Sequence, residues 1–136
     1  MSCELDMCIT LGDLKKVKVI IKNNPTLVNG SYANDDQTPL MTAVVNEENK
    51  IIDYLLKRKA SVTEPILRRA SGIQTNWKFG YPVMDGISDK YFDKLLHHAD
   101  EITIHTFASD YPTCKLKKKK LDYLKKALTS NRRYTV

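Results

Sequence analysis

Short helix pairs stacked three or four deep, with one β-turn finger and one non-helical insertion, make this chain all-α by expectation. The first sign is internal repetition, which decides the architecture before any single element is assigned. Gly12 to Ile21 returns in kind as Glu47 to Leu56, 35 positions on, and Leu55-Leu56 returns as Leu95-Leu96 after a further 40. The second sign is periodicity: each copy carries apolar pairs separated by two polar positions, the spacing of an amphipathic helix with one face to bury. The third is a helix start at Thr38-Pro39, a hydroxyl cap followed by a proline at the first helical position, where its missing N–H is harmless.

The elements follow in order. Between the first two copies, Gly30 to Gln37 clusters Gly, Asn and Asp, residues that tolerate turn geometry, and the turn opens directly into a short helix from Pro39. Leu40, Ala43 and Val44 give that helix a small apolar side suited to close stacking. Thr63 to Ala70 reads as the next inner helix, and it follows Val62 with no room for a second projecting hairpin. Residues 72–88 contain two internal glycines and a proline that break helical continuation, so they read as a loop insertion. A helix resumes near Asp89. A last, degenerate pair spans Ile102 to Ser109 and Pro112 to Thr129, with Leu116, Leu121, Leu124 and Leu128 as its expected buried stripe.

At 136 residues and 15.6 kDa the chain has the material for one domain on a usual allotment of roughly 100–200 residues. Apolar residues at 42% and charged residues at 28% exclude collagen-like, coiled-coil and wholly disordered classes. No run approaches the roughly 18–20 apolar residues of a membrane-spanning helix, and the first twenty residues lack the apolar centre of a secretory signal. Cys3, Cys8 and Cys114 form an odd set without metal-ligand spacing and read as reduced thiols, so the cytoplasm is the expected compartment. The net charge of +6 is unevenly placed. Residues 113–136 hold nine basic groups against Asp122 alone, a local +8, which leaves the other 112 residues at −2.

Thr38-Pro39-Leu40-Met41-Thr42-Ala43-Val44, with the second helix ending Tyr54-Leu55-Leu56-Lys57-Arg58-Lys59-Ala60-Ser61-Val62, resembles the ankyrin repeat. Residues 29–62 match that family as one nearly complete unit, and Cys3 to Asn29 looks like an N-terminal repeat without its turn, closed by the variant Asn24-Pro25-Thr26-Leu27-Val28-Asn29. The resemblance implies a single ankyrin-like solenoid over 1–136, with repeats near 1–29, 30–62, 63–100 and 101–130. Met41 departs from the family's usual histidine and Lys59 from its left-handed glycine. By the same resemblance, partner contacts are expected from the finger tip, Tyr32, Asn34, Asp35 and Asp36, and from the inner-helix edge, Met41 and Val45. So short and divergent a chain also resembles pathogen-encoded proteins that engage host factors, for which the host cytoplasm or nucleus is the expected setting.

Two further segments are candidates on their chemistry. Trp77, Phe79 and Tyr81 in the insertion suit an interface, because aromatics supply wide contact area with few rotamers to immobilise. Against this, Trp77 and Phe79 also suit a fold-back role, covering the gap left by the missing hairpin. Lys115, Lys117, Lys118, Lys119 and Lys120 form a basic patch fit for nucleic acid, an anionic surface or nuclear import, or simply a solvated face on a terminal helix. His97, His98 and His105 do not converge at helical spacing, since consecutive residues point about 100° apart. Phosphate-cradling glycine loops, nucleophile elbows and metalloprotease motifs are missing from the sequence. The expectation is a monomeric, non-enzymatic protein-interaction module without metal or cofactor. Its alternative is a nucleic-acid or anionic-surface binder acting through the lysine-rich segment.

Overall fold

A computed structural model describes residues 3–30, 38–72, 86–110 and 116–129. Among these residues there are eight α-helices, one 3-10 helix and no strand, so the chain is all-α. The helices are α1 (Cys3–Thr10), α2 (Leu14–Asn23), α3 (Pro39–Val45), α4 (Asn49–Lys57), α5 (Glu64–Ser71), α6 (Asp89–His98), α7 (Glu101–Asp110) and α8 (Lys118–Thr129). The 3-10 helix, Pro25–Asn29, follows α2. The chain divides into two compact units, Met1–Ser61 and Val62–Val136.

In the first unit, α1 lies against α2 and α3 against α4; α1 also meets α3, and α2 meets α4. The interior is aliphatic: Leu5, Ile9, Val17 and Ile21 from the first pair, Leu40, Val44, Ile52 and Leu55 from the second. Each such side chain, removed from water, contributes about 1.5–3 kcal/mol. The 35-position repetition is kept in the backbone. Gly12 N donates to Ile9 O (3.0 Å) and Asp13 N to Cys8 O (2.9 Å); their counterparts Glu47 and Glu48 donate to Val44 O (3.1 Å) and Ala43 O (2.9 Å). Gly12 turns through φ +74° and Glu47 through +52°, the left-handed region that L-residues other than glycine enter at a cost.

The caps explain where the helices begin. Thr38 Oγ1 accepts from Met41 N (3.3 Å), as the Thr-Pro signature predicts, and Asp13 Oδ1 accepts from Lys16 N (3.2 Å). The corner after α4 uses Lys59 at φ +64°, so the left-handed turn expected of a glycine is made by a lysine. Asn29 braces that corner: its Nδ2 donates to Lys59 O (3.4 Å) and its Oδ1 accepts from Ser61 N (2.8 Å).

In the second unit, α5 packs on α6 and α7, and α8 packs on both α6 and α7. Phe92 and Phe107 are fully buried with ring centroids 6.4 Å apart and planes inclined at 59°, a tilted pairing favoured by the ring quadrupoles. Ile66, Leu67, Leu95, Leu96 and Ile104 fill the space around them. α5 stops at Gly72, left-handed at φ +81°, and α7 is capped by Asp100, whose Oδ1 accepts from Thr103 N at 2.7 Å. The finger 31–37 and residues 73–85 of the insertion lie outside the described residues.

Candidate functional site

Two of the expected contact residues stand on α3. Its apolar side is turned inward through Leu40, Ala43 and Val44, which leaves Met41 half-buried and Val45 40% exposed on the helix edge. Thr42, between them in sequence, is committed to the neighbouring helix: its Oγ1 donates to Asp6 Oδ1 of α1 at 2.8 Å. Tyr32, Asn34, Asp35, Asp36, Trp77, Phe79, Tyr81 and Lys115 lie outside the described residues.

The basic segment is divided by the helix it forms. Lys117, Lys118 and Lys119 are exposed at the start of α8, and Lys125 and Lys126 are exposed further along it. Lys120 is a correction to the expected patch, because only 2% of its surface is accessible. The cause is helical phase. Leu116, Lys120, Leu124 and Ala127 fall on one inward stripe, whereas Leu121 and Leu128, expected there, are half-buried flanks. A lysine can occupy such a position because its aliphatic stem packs like a hydrocarbon. Its ammonium then sits 6.0 Å from the Phe92 ring centroid, within the range of a cation–π contact.

Gly86 makes room for that ammonium. A Cβ on Gly86 would overlap Ala70 O and stand 2.8 Å from both Lys120 Nζ and Gly72 N. Gly86 also adopts φ +86°, and Ile87 N donates to Ala70 O at 2.9 Å. The C-terminal end of α5 lines the same space through Ala70 O and Gly72 N. This arrangement is structural chemistry: it holds the Lys120 side chain of α8 beside Phe92 of α6 and Gly86 and takes its amine off the surface.

The histidines stay on the surface of their helices. His97 Nδ1 lies 2.9 Å from Asp93 O and 3.5 Å from Asp93 Oδ1, one turn earlier, and His105 Nε2 lies 3.8 Å from Glu101 Oε1. Such exposed i,i+4 pairs contribute a few tenths of a kcal/mol at most, about 0.3–0.5. Among the described residues no group of three or more His, Cys, Asp or Glu is gathered as a metal site would require. Nor is any helix among them long and apolar enough to cross a membrane.

Sequence reasoning missed one set of surface residues. Met7, Leu11 and Val19 of the first unit are large, apolar and exposed. Periodicity assigned Val19 to a generic amphipathic helix and passed over the first two. The signal that finds them is the repeat displacement itself, which places Met7 and Val19 in register with Thr42 and Tyr54. Set beside protein-family models, curated proteins and solved structures, the chain matches none of them.

Proposed function

We propose that the chain is a non-enzymatic interaction module built on ankyrin-like repeats, holding one partner protein against a rigid helical surface. The observation that carries this reading is the bond-for-bond repetition of the α1–α2 turn in the α3–α4 turn, 35 positions later. Repeated helix pairs derive their stability from neighbour-to-neighbour burial, which frees their edges for recognition. On that account Met41 and Val45 contribute to the contact, together with the finger residues Tyr32, Asn34, Asp35 and Asp36 and the aromatic group Trp77, Phe79 and Tyr81. The module works without metal or cofactor, by occupying its partner's surface.

A second reading has its own observation: Lys117, Lys118 and Lys119 stand exposed in a row, with Lys125 and Lys126 on the same helix. Such a field favours nucleic acid or an anionic surface, and phosphate binding weakens steeply with salt as counterions are released. One experiment separates the two. The full chain, its Met41→Glu/Val45→Glu variant and its Lys117→Glu/Lys118→Glu/Lys119→Glu variant are used for affinity capture from native lysate at low and moderate salt. Loss of a captured protein with the edge variant alone, at both salt concentrations, supports the interaction module. Loss with the charge-reversed variant alone, and collapse of capture with salt, overturns it in favour of the basic helix. Lys120 is left intact, since reversing a buried charge would unfold its surroundings.

A further inference from the structure

The first unit carries an open stacking face. Two contacts fix which side of a helix pair meets the pair before it: Thr42 of α3 bonds to Asp6 of α1, and the Tyr54 ring of α4 lies 5.7 Å beneath the Lys18 ammonium of α2. Moving back by the 35-position displacement converts Thr42 to Met7 and Tyr54 to Val19. The earlier pair therefore turns Met7 and Val19 outward, on the side where the later pair turns Thr42 and Tyr54 towards its neighbour. Leu11 joins them one turn beyond Met7, and Leu11 N still donates to Met7 O at 2.9 Å, so the helical path holds. Met7 is 63% exposed, Leu11 75% and Val19 55%.

Exposed apolar residues scattered singly need no explanation, but two at register positions of a repeating interface, with a third one turn beyond, do. The charges around them select the occupant. Val19 has Lys15 and Lys16 one turn before it and Lys22 one turn after it, all exposed; α2 contains no acidic residue, and on α1 the exposed carboxylate one turn before Met7 is Glu4, so the face is positive on balance. Two copies of this face carry the same net positive charge, Lys15, Lys16 and Lys22 against Glu4, which disfavours their pairing. A partner helix with carboxylates beside its apolar stripe meets the face with opposite charge.

We propose that Met7, Leu11 and Val19, bordered by Lys15, Lys16 and Lys22, form a docking face for an amphipathic helix of another protein whose apolar stripe is flanked by carboxylates. The helix extends the layer pattern by one member, its apolar i,i+4 residues lying on Met7 and Leu11 while its carboxylates reach the α2 lysines. This inference rests on the packing of the first unit and does not depend on which partner the α3 edge takes.

The test uses the full chain and two synthetic helical peptides with identical leucine stripes, one flanked by glutamates and the other by lysines. Backbone amide resonances are followed during titration, and affinity is read by fluorescence anisotropy. The glutamate peptide is expected to shift amides around Met7, Leu11 and Val19, and the lysine peptide to leave them unchanged. Met7→Glu/Val19→Glu and Lys15→Glu/Lys16→Glu should each weaken the glutamate peptide at least tenfold, whereas Met41→Glu/Val45→Glu should not. Met7→Thr, which copies the counterpart Thr42, serves where the glutamate variant fails to fold. Equal binding of both peptides, shifts confined to other helices, or a Met7-dependent dimer in sedimentation would overturn the assignment.

Discussion

In Met1–Ser61 two helix pairs have turns related bond for bond, while in Val62–Val136 the helices meet around a glycine hollow and a buried lysine that are not repeated among the described residues. The first arrangement spreads its stability over equivalent contacts: Leu5 and Leu40, Ile9 and Val44, Val17 and Ile52 are buried at matching positions. The second concentrates it, since Gly86, Ala70, Gly72 and Lys120 converge on the space of a single methyl group. Repetition makes a fold tolerant of local change, because each turn is specified by its own short segment. A singular contact makes the fold exacting, because atoms from three distant segments must agree.

Two glycine substitutions put that difference to the test. Gly86→Ala forces an L-residue into φ +86° and drives a methyl group into the Ala70 carbonyl oxygen. Left-handed strain and overpacking together should cost about 3 kcal/mol, seen as a large fall in the urea midpoint of the full chain. Gly12→Ala has the same backbone problem at φ +74°, but the nearest atoms its methyl group meets belong to the Glu48 carboxylate, at 2.8 Å, which can swing aside. The expected cost is about 1 kcal/mol. Equal losses at the two positions would erase the distinction between the units.

Asn29→Ala is the intermediate case, since it removes a brace within the regular unit. The side chain both donates to Lys59 O and accepts from Ser61 N, holding the 3-10 helix against the corner after α4. Both bonds are near solvent, so their loss should cost about 1 kcal/mol in chemical denaturation. Faster amide exchange should be confined to residues near Lys59 and Ser61. An effect on α8 would mean that the brace reaches beyond its own corner.

What could be read from the residues follows the same division. Thr38-Pro39 predicts its cap because the signal is local, and the apolar pairs ending in Leu55-Leu56 and Leu95-Leu96 predict their helices because helical period is a property of a short segment. Lys120 was misplaced for the opposite reason. Polarity sends a lysine outward, and the choice between a stripe through Leu121 and one through Lys120 depends on how α8 is rotated against Phe92. Gly86 gave notice of a break in the helix but none of the ammonium beside it, which comes from a segment more than 30 positions away. Met7 and Val19 show a third case, where the displacement was visible but the direction of each side chain required the Thr42–Asp6 and Tyr54–Lys18 contacts.

The smallest expected effects are stabilising, and they probe how far the regular unit is from its own ideal. Glu47 and Lys59 occupy left-handed turns at φ +52° and +64°, where an L side chain crowds its own backbone. Glu47→Gly restores the residue that the equivalent turn already has in Gly12, and Lys59→Gly removes the same penalty at the next corner. Each relieves about 1 kcal/mol or a little more of strain but loosens the unfolded chain, so the net gain should be near 0.5 kcal/mol. The two sites lie at opposite ends of α4, so their gains should add, giving a double variant with a higher urea midpoint and an unchanged slope. A loss at position 47 would mean that the Glu47 side chain does something the Gly12 turn does not need, and the equivalence of the two helix pairs would then end at the turn.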